Sequence, residues 1–69
     1  MDRQYVNSSS LVSVGYDVNF QTLEIEFQGG RIYQYFDVPV GEHEALMSAP
    51  SHGQYFAYNI RNNYRYAQL

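Results

Sequence analysis

Glu24 and Glu26 stand two residues apart, so on an extended strand both carboxylates face one way, as a general acid and base pair would require. The same spacing also describes the solvated side of an amphipathic strand, and neither Glu has a sequence neighbour that would raise its pKa. The solvated reading is preferred. His43 and His52 lie nine apart with no Cys and no HxxxH spacing, so a metal site would need distant acids; surface or capping roles are expected instead. Ser8, Ser9 and Ser10 lack the Gly-x-Ser-x-Gly setting of a nucleophile and suit local backbone hydrogen bonds. Gly29-Gly30 falls between two strand patterns, where it makes a turn, not a phosphate loop. No catalytic residue, cofactor or metal is expected.

The densest chemistry is in the last third. Between Ala45 and Leu69 there is no Asp or Glu, while Tyr55, Phe56, Tyr58, Arg61, Tyr64, Arg65 and Tyr66 crowd into twelve positions. Arg offers forked contacts to phosphate or carboxylate, and an exposed Tyr stacks on an unpaired base. The candidate binding residues are therefore Tyr58, Arg61 and Arg65 on one outer helix face, with Arg31 at a hairpin tip beside them. Tyr64 and Tyr66 are assigned to the edge of the core. The reading in which the candidate side chains are solvated, or Arg61 pairs with Glu24 or Asp37 within the domain, is preferred to binding of nucleic acid or of an acidic protein surface. With four Arg, no Lys and a net charge of −3, bulk attraction to nucleic acid is excluded, and any such binding must be local.

These residues need a scaffold, and 69 residues make one small one. A fold of this size buries only about 60% of the surface its unfolded chain exposes. With no cysteine to staple it, the eight Tyr and four Phe are the expected source of core area. No apolar run approaches eighteen residues, and Met1-Asp2-Arg3-Gln4 lacks the features of a secretory signal, so the expectation is a cytoplasmic protein without a membrane segment.

Val12, Val14 and Tyr16 alternate with Ser13 and Gly15, and Leu23, Ile25 and Phe27 with Glu24 and Glu26, giving two strands of period two. A tight turn over Val18-Asn19-Phe20-Gln21, with Asn19 at positive φ, pairs Val12 with Phe27, Val14 with Ile25 and Tyr16 with Leu23. A third strand begins at Arg31 and stops before Pro39. A three-residue loop with Gly30 as the bulge would set Tyr33 and Tyr35 beside Ile25 and Leu23, whereas a two-residue loop would turn both tyrosines outward; the buried register is preferred.

After Pro39 the period becomes helical, with Glu42 and Glu44 in the first turn and Ala45, Leu46 and Ala49 on one side. Ser51 and Gln54 fit a capping box that starts a second helix. Phe56 and Ile60 share its inner face with Asn59 and Asn63, flanked by Tyr55 and Tyr64. The fold class is α+β: a three-stranded antiparallel β-meander followed by two α-helices packed on one face of the sheet. A further short strand from Tyr5-Val6 or the C-terminal tail is compatible with it.

Val6, Ser8-Ser9, Gly15-Tyr16-Asp17, Leu23-Glu24-Ile25-Glu26-Phe27, Gly30, Tyr33-Gln34-Tyr35, Val38-Pro39, Leu46, Ala49, Ser51, Gly53, Tyr55-Phe56, Ile60-Arg61 and Tyr64 together resemble the pattern of the KTSC domain family. The resemblance runs from Arg3 to about Leu69 and implies a single domain over residues 1–69. It is a domain found alone and at the C-terminus of some lysyl-tRNA synthetases. Three positions depart: His43 where an aromatic residue is frequent, His52 where Lys is usual, and Ala57 where Asn often follows the Tyr-Phe pair. None of the three is a core position in this reading. Together with the acid-free Arg and Tyr region, the resemblance implies a non-catalytic binding module with weak RNA or tRNA binding through the Arg/Tyr surface; the alternative is a protein-protein interaction adaptor of unknown partner, such as an acidic protein surface, using the sheet edge or that helix face.

Overall fold

The computed structural model describes all residues, Met1–Leu69. The chain runs β1 (Arg3–Tyr5), β2 (Leu11–Asp17), β3 (Thr22–Phe27), β4 (Ile32–Tyr35), α1 (Val40–Ser48), α2 (His52–Asn59) and β5 (Tyr66–Gln68). One antiparallel sheet holds the five strands in sequence order. The expected three-stranded meander is thus the centre of a wider sheet. β1 and β5 are three residues each, too short for a periodic signal of their own, and they gain their hydrogen bonds from β2 and β4.

Val14 pairs with Ile25 and Tyr16 with Leu23 as the alternation requires, but Phe27 pairs with Leu11 and not Val12. Val12 is the extra residue of a bulge, so Leu11 takes the core position and is fully buried. In the β2–β3 turn the Asp17 carboxylate accepts from the amides of Asn19 and Phe20, and Gln21, not Asn19, carries the positive φ of 50°. The β3–β4 register is the buried one, with Ile25 opposite Tyr33 and Leu23 opposite Tyr35. Gly29 and Gly30 make it possible with φ of 96° and 93°, values that would strain any side chain.

The core lies between the sheet and the helices: Leu11, Val14, Leu23, Ile25, Tyr35, Val38, Leu46, Phe56 and Ile60. Phe56 and Ile60 dock as their spacing predicts. Ser51 caps α2 by accepting from the Gln54 amide at 3.2 Å; the return bond from the Gln54 side chain is not made. Glu42 on α1 accepts from the hydroxyls of Tyr55 on α2 and Tyr64 beyond it, which ties the helices and the following loop together. Burial, then this bond to Glu42, pushes Tyr64 up to about 12. Ser8 accepts from the amides of Ser10 and Leu11, the local role expected of it.

The two histidines are structural. His43 stacks on Tyr16 with centroids 4.7 Å apart and planes 6° from parallel, and burial lowers its pKa. His52 places Nδ1 2.9 Å from the Leu46 carbonyl. No helix is long and apolar enough to cross a membrane.

The face of the sheet away from the helices corrects the solvated reading of Glu24. On the β1–β2 register Arg3 sits opposite Gly15, which in turn is opposite Glu24. A Cβ on Gly15 would lie 2.7 Å from the Asp2 carbonyl oxygen and 3.0 Å from the Arg3 Cγ, so only glycine lets Arg3 cross β2. Arg3 reaches the Glu24 carboxylate through Nη1 and donates from Nε to Ser13 Oγ at 2.9 Å. Gln34 donates to Glu24 at 2.9 Å, and Ser13 donates to Glu26 at the same distance. Glu24 is 5% exposed. Burial acts to raise its pKa, but the bonds from Gln34 and Arg3 outweigh it and hold the carboxyl below its ordinary value. Both glutamates are thereby occupied as acceptors.

Candidate functional site

The β3–β4–β5 end of the helical face carries an aromatic cleft. Alternation puts Phe27 of β3 and Tyr33 and Tyr35 of β4 on that face, and pairing of Tyr35 with Tyr66 adds the β5 ring to the same side. Phe56 of α2 forms the remaining wall. The rings interlock: Phe27 meets Phe56 at 5.2 Å and Tyr33 at 5.6 Å, both edge-on, and Tyr35 meets Phe56 edge-on at 5.4 Å. Tyr66 lies 5.8 Å from both Tyr33 and Tyr35. These are favourable aromatic geometries, so the wall is fixed by its own contacts.

The cleft is an open groove of about 280 Å³, and its lining is completed by Arg31 and Arg61. That volume is at the small end for ligand sites, fit for one planar group and not for a large molecule. The Arg61 guanidinium lies over the Phe56 ring at 5.8 Å, and neither Arg31 nor Arg61 forms an ion pair. None of the seven acids lines the cleft, so a chain of net negative charge keeps a local positive field there. Tyr35 is only 4% exposed, yet its hydroxyl donates to nothing in the fold, while no buried polar atom lacks a partner. That hydroxyl therefore opens onto the cleft. Burial, together with Tyr33 and Tyr66 and against the pull of Arg61, pushes its pKa up to about 12, so it is a neutral donor at any physiological pH.

Of the four residues named from sequence, the fold brings Arg31 and Arg61 to this cleft and separates the other two. The predicted helix face fails because α2 ends at Asn59, with Ile60 as its C-cap, and the chain turns before Arg65. Tyr58 is 78% exposed and lines no cleft. Arg65 pairs with Asp37 at 2.5 Å and stacks over Phe36 at 5.6 Å, beside a second, more open cleft. The intramolecular pairing considered for Arg61 falls to Arg65. The sequence reading missed Tyr66, which is 60% exposed and not a core edge, because only the β4–β5 pairing positions it. Tyr33 and Tyr35 were expected in the apolar row beside Ile25 and Leu23, and that register is observed; their place in a cleft wall was not foreseen.

Comparison with known proteins sets this geometry in a family. The chain is 48% identical over 54 residues to a lysine–tRNA ligase of Nostoc sp., covering 78% of the chain but 10% of the ligase. It therefore spans about a tenth of the length of the ligase relatives it matches. It is also 43% identical over 70 residues to a protein of Stutzerimonas stutzeri, covering 100% of this chain and 99% of that one. The crystal structure of a KTSC domain protein from Yersinia pestis is similar throughout, with a TM-score of 0.94 at 39% identity, covering 99% of this chain and 96% of that one. Residues 7–64 match the KTSC domain pattern, and with a whole-length structural counterpart of the same kind the chain belongs to the KTSC domain family.

Proposed function

We propose that this domain is a non-catalytic binding module whose aromatic cleft takes an unpaired base of RNA, with Arg31 and Arg61 meeting the adjoining phosphates. One observation carries the reading: five interlocked rings, a free phenol and two unpaired guanidiniums share one acid-free cleft. Stacking tolerates any base and contributes about 1 to 3 kcal/mol each, which suits a wall made of Tyr and Phe. The similarity to segments of lysine–tRNA ligases supports a tRNA as the source of that base, and a cytoplasmic setting accords with it.

With two free arginines on a chain of net charge −3, the affinity is weak. Titration of tRNA and of a short single-stranded RNA at low salt tests it. For single strands log K falls with log salt by roughly 0.7 per phosphate engaged, so a slope near −1.4 is expected, halved by Arg31→Ala or Arg61→Ala. No binding, or binding unchanged in both variants, would sink the proposal.

A second reading, a protein adaptor, is favoured by Val18 and Phe20, exposed at 63% and 78% in the β2–β3 turn, together with the exposed Val40. The Gln21 carbonyl accepts from the Val38 amide, which brings that turn to the start of α1. A partner released by RNase supports the first reading; one that survives RNase and is lost with Phe20→Ser supports the second.

A further inference from the structure

The second cleft adjoins the first, and Tyr66 lines both. It is a shallow, open groove of about 630 Å³ formed by Phe36, Asn62, Asn63, Tyr64, Arg65 and Tyr66. The two repeat one device, an arginine laid over a phenylalanine: Arg61 over Phe56 in the first, Arg65 over Phe36 in the second. They differ in charge. Arg31 and Arg61 are uncompensated, whereas Asp37 neutralises Arg65. The second cleft therefore presents a neutral, stacking surface with amide side chains at its rim. Asn63 donates to the Asn59 carbonyl, but Asn62 makes no hydrogen bond within the fold and is free to meet the edge of a base.

From this geometry we infer that the ligand is a single strand of at least two nucleotides that crosses Tyr66, with one base in the first cleft, the next over Phe36 and Arg65, and the linking phosphate on the Arg61 side. This rests on the reading of the first cleft as a base site and extends it to a strand with a defined track. Tyr66 is 60% exposed and is the one residue common to both linings, so a strand that joins the two sites passes it.

The test is an NMR titration of the whole chain with adenosine monophosphate, with the dinucleotide ApA and with a tetranucleotide, repeated on Asn62→Ala and Phe36→Leu. The dinucleotide is expected to bind about tenfold more tightly than the mononucleotide, because a second stacked base is added. Asn62→Ala, an exposed change that leaves folding intact, is expected to reduce that advantage severalfold without moving mononucleotide affinity; Phe36→Leu should do the same. Shifts at Asn62 and Arg65 should appear with the dinucleotide alone. Equal affinity for the mononucleotide and dinucleotide would overturn the track while leaving the base site standing. An advantage that persists in both variants would overturn its placement. Binding of neither ligand would overturn the base site and the track together.

Discussion

On the sheet face away from the helices, the charged groups of the Arg3, Glu24 and Glu26 cluster have partners; at the β4–β5 end of the other face, Arg31, Arg61 and the Tyr35 hydroxyl have none within the fold. The first network is shielded from solvent around Glu24, whereas Arg31 and Arg61 are exposed at the margin of a buried ring, Tyr35. A satisfied network fixes structure, since every donor has lost its freedom to bind anything else. Polar groups left without a partner in the fold retain that freedom. On that difference the Arg3 network belongs to the scaffold, and binding is proposed at the unpaired groups of the cleft.

The comparison breaks most sharply at Arg3. Replacement with Ala leaves the Glu24 carboxylate, 6% exposed in its side chain, with Gln34 as its remaining donor. A fully buried pair broken this way costs several kcal/mol; with Arg3 27% exposed the screened cost is about 2 to 3 kcal/mol, read as a lowered urea midpoint. For a domain this small that is a large share of its stability. A loss under about 0.5 kcal/mol, the scale of an ordinary surface substitution, would mean that β1 merely rests on the sheet.

Gly15→Ala attacks the same network from the backbone. The new methyl would meet the Asp2 carbonyl oxygen, a main-chain atom that cannot swing aside, so β1 must move. Overpacking of this kind costs about 1 to 2 kcal/mol. Because both changes act through the β1–β2 contact, their double mutant should lose less than the sum. Full additivity would show that Gly15 and Arg3 serve unrelated contacts.

Acid sharpens the contrast without mutation. Glu24 is held below its ordinary pKa in the fold, so its contribution is complete above the usual carboxylate range and is lost as pH falls through the folded value. Urea midpoints should therefore drop on acidification, and the drop should be shallower in Arg3→Ala. An identical acid limb in the two proteins would remove Glu24 from the account.

How much of this was legible in sequence depends on whether neighbours in the chain are neighbours in space. Leu23, Ile25 and Phe27 alternate with acids, and that local pattern placed β3 and its core face; Ser51 and Gln54 located the start of α2 in the same way. Leu11 and Val12 are adjacent and both apolar, so either fits opposite Phe27, and only the bulge decides. Glu24 looked solvated because its partner comes from Arg3, on an edge strand of three residues. The cleft was half legible. Arg31 and Arg61 were named, but Tyr66 enters through its pairing with Tyr35, between β4 and a tail distant in the chain, which no periodicity encodes.

Tyr58 and Arg61 make the final and smallest test, since the sequence could not tell them apart as exposed members of an acid-free segment. Tyr58 precedes the end of α2 and projects into solvent at 78% exposure, away from every cleft, whereas the chain turns after Ile60 and carries Arg61 back over Phe56. Tyr58→Ala removes a ring that touches no aromatic partner, so stability should change by no more than about 0.5 kcal/mol and RNA affinity not at all. Arg61→Ala loses one exposed cation–π contact, worth about 0.5 to 1 kcal/mol to the fold, but half of the free positive charge at the cleft. Parallel titrations of the two variants at low salt read the difference. Should Tyr58→Ala weaken binding as much as Arg61→Ala does, the ligand would lie on the outer face of α2, and the aromatic cleft would be a packing feature of the core margin.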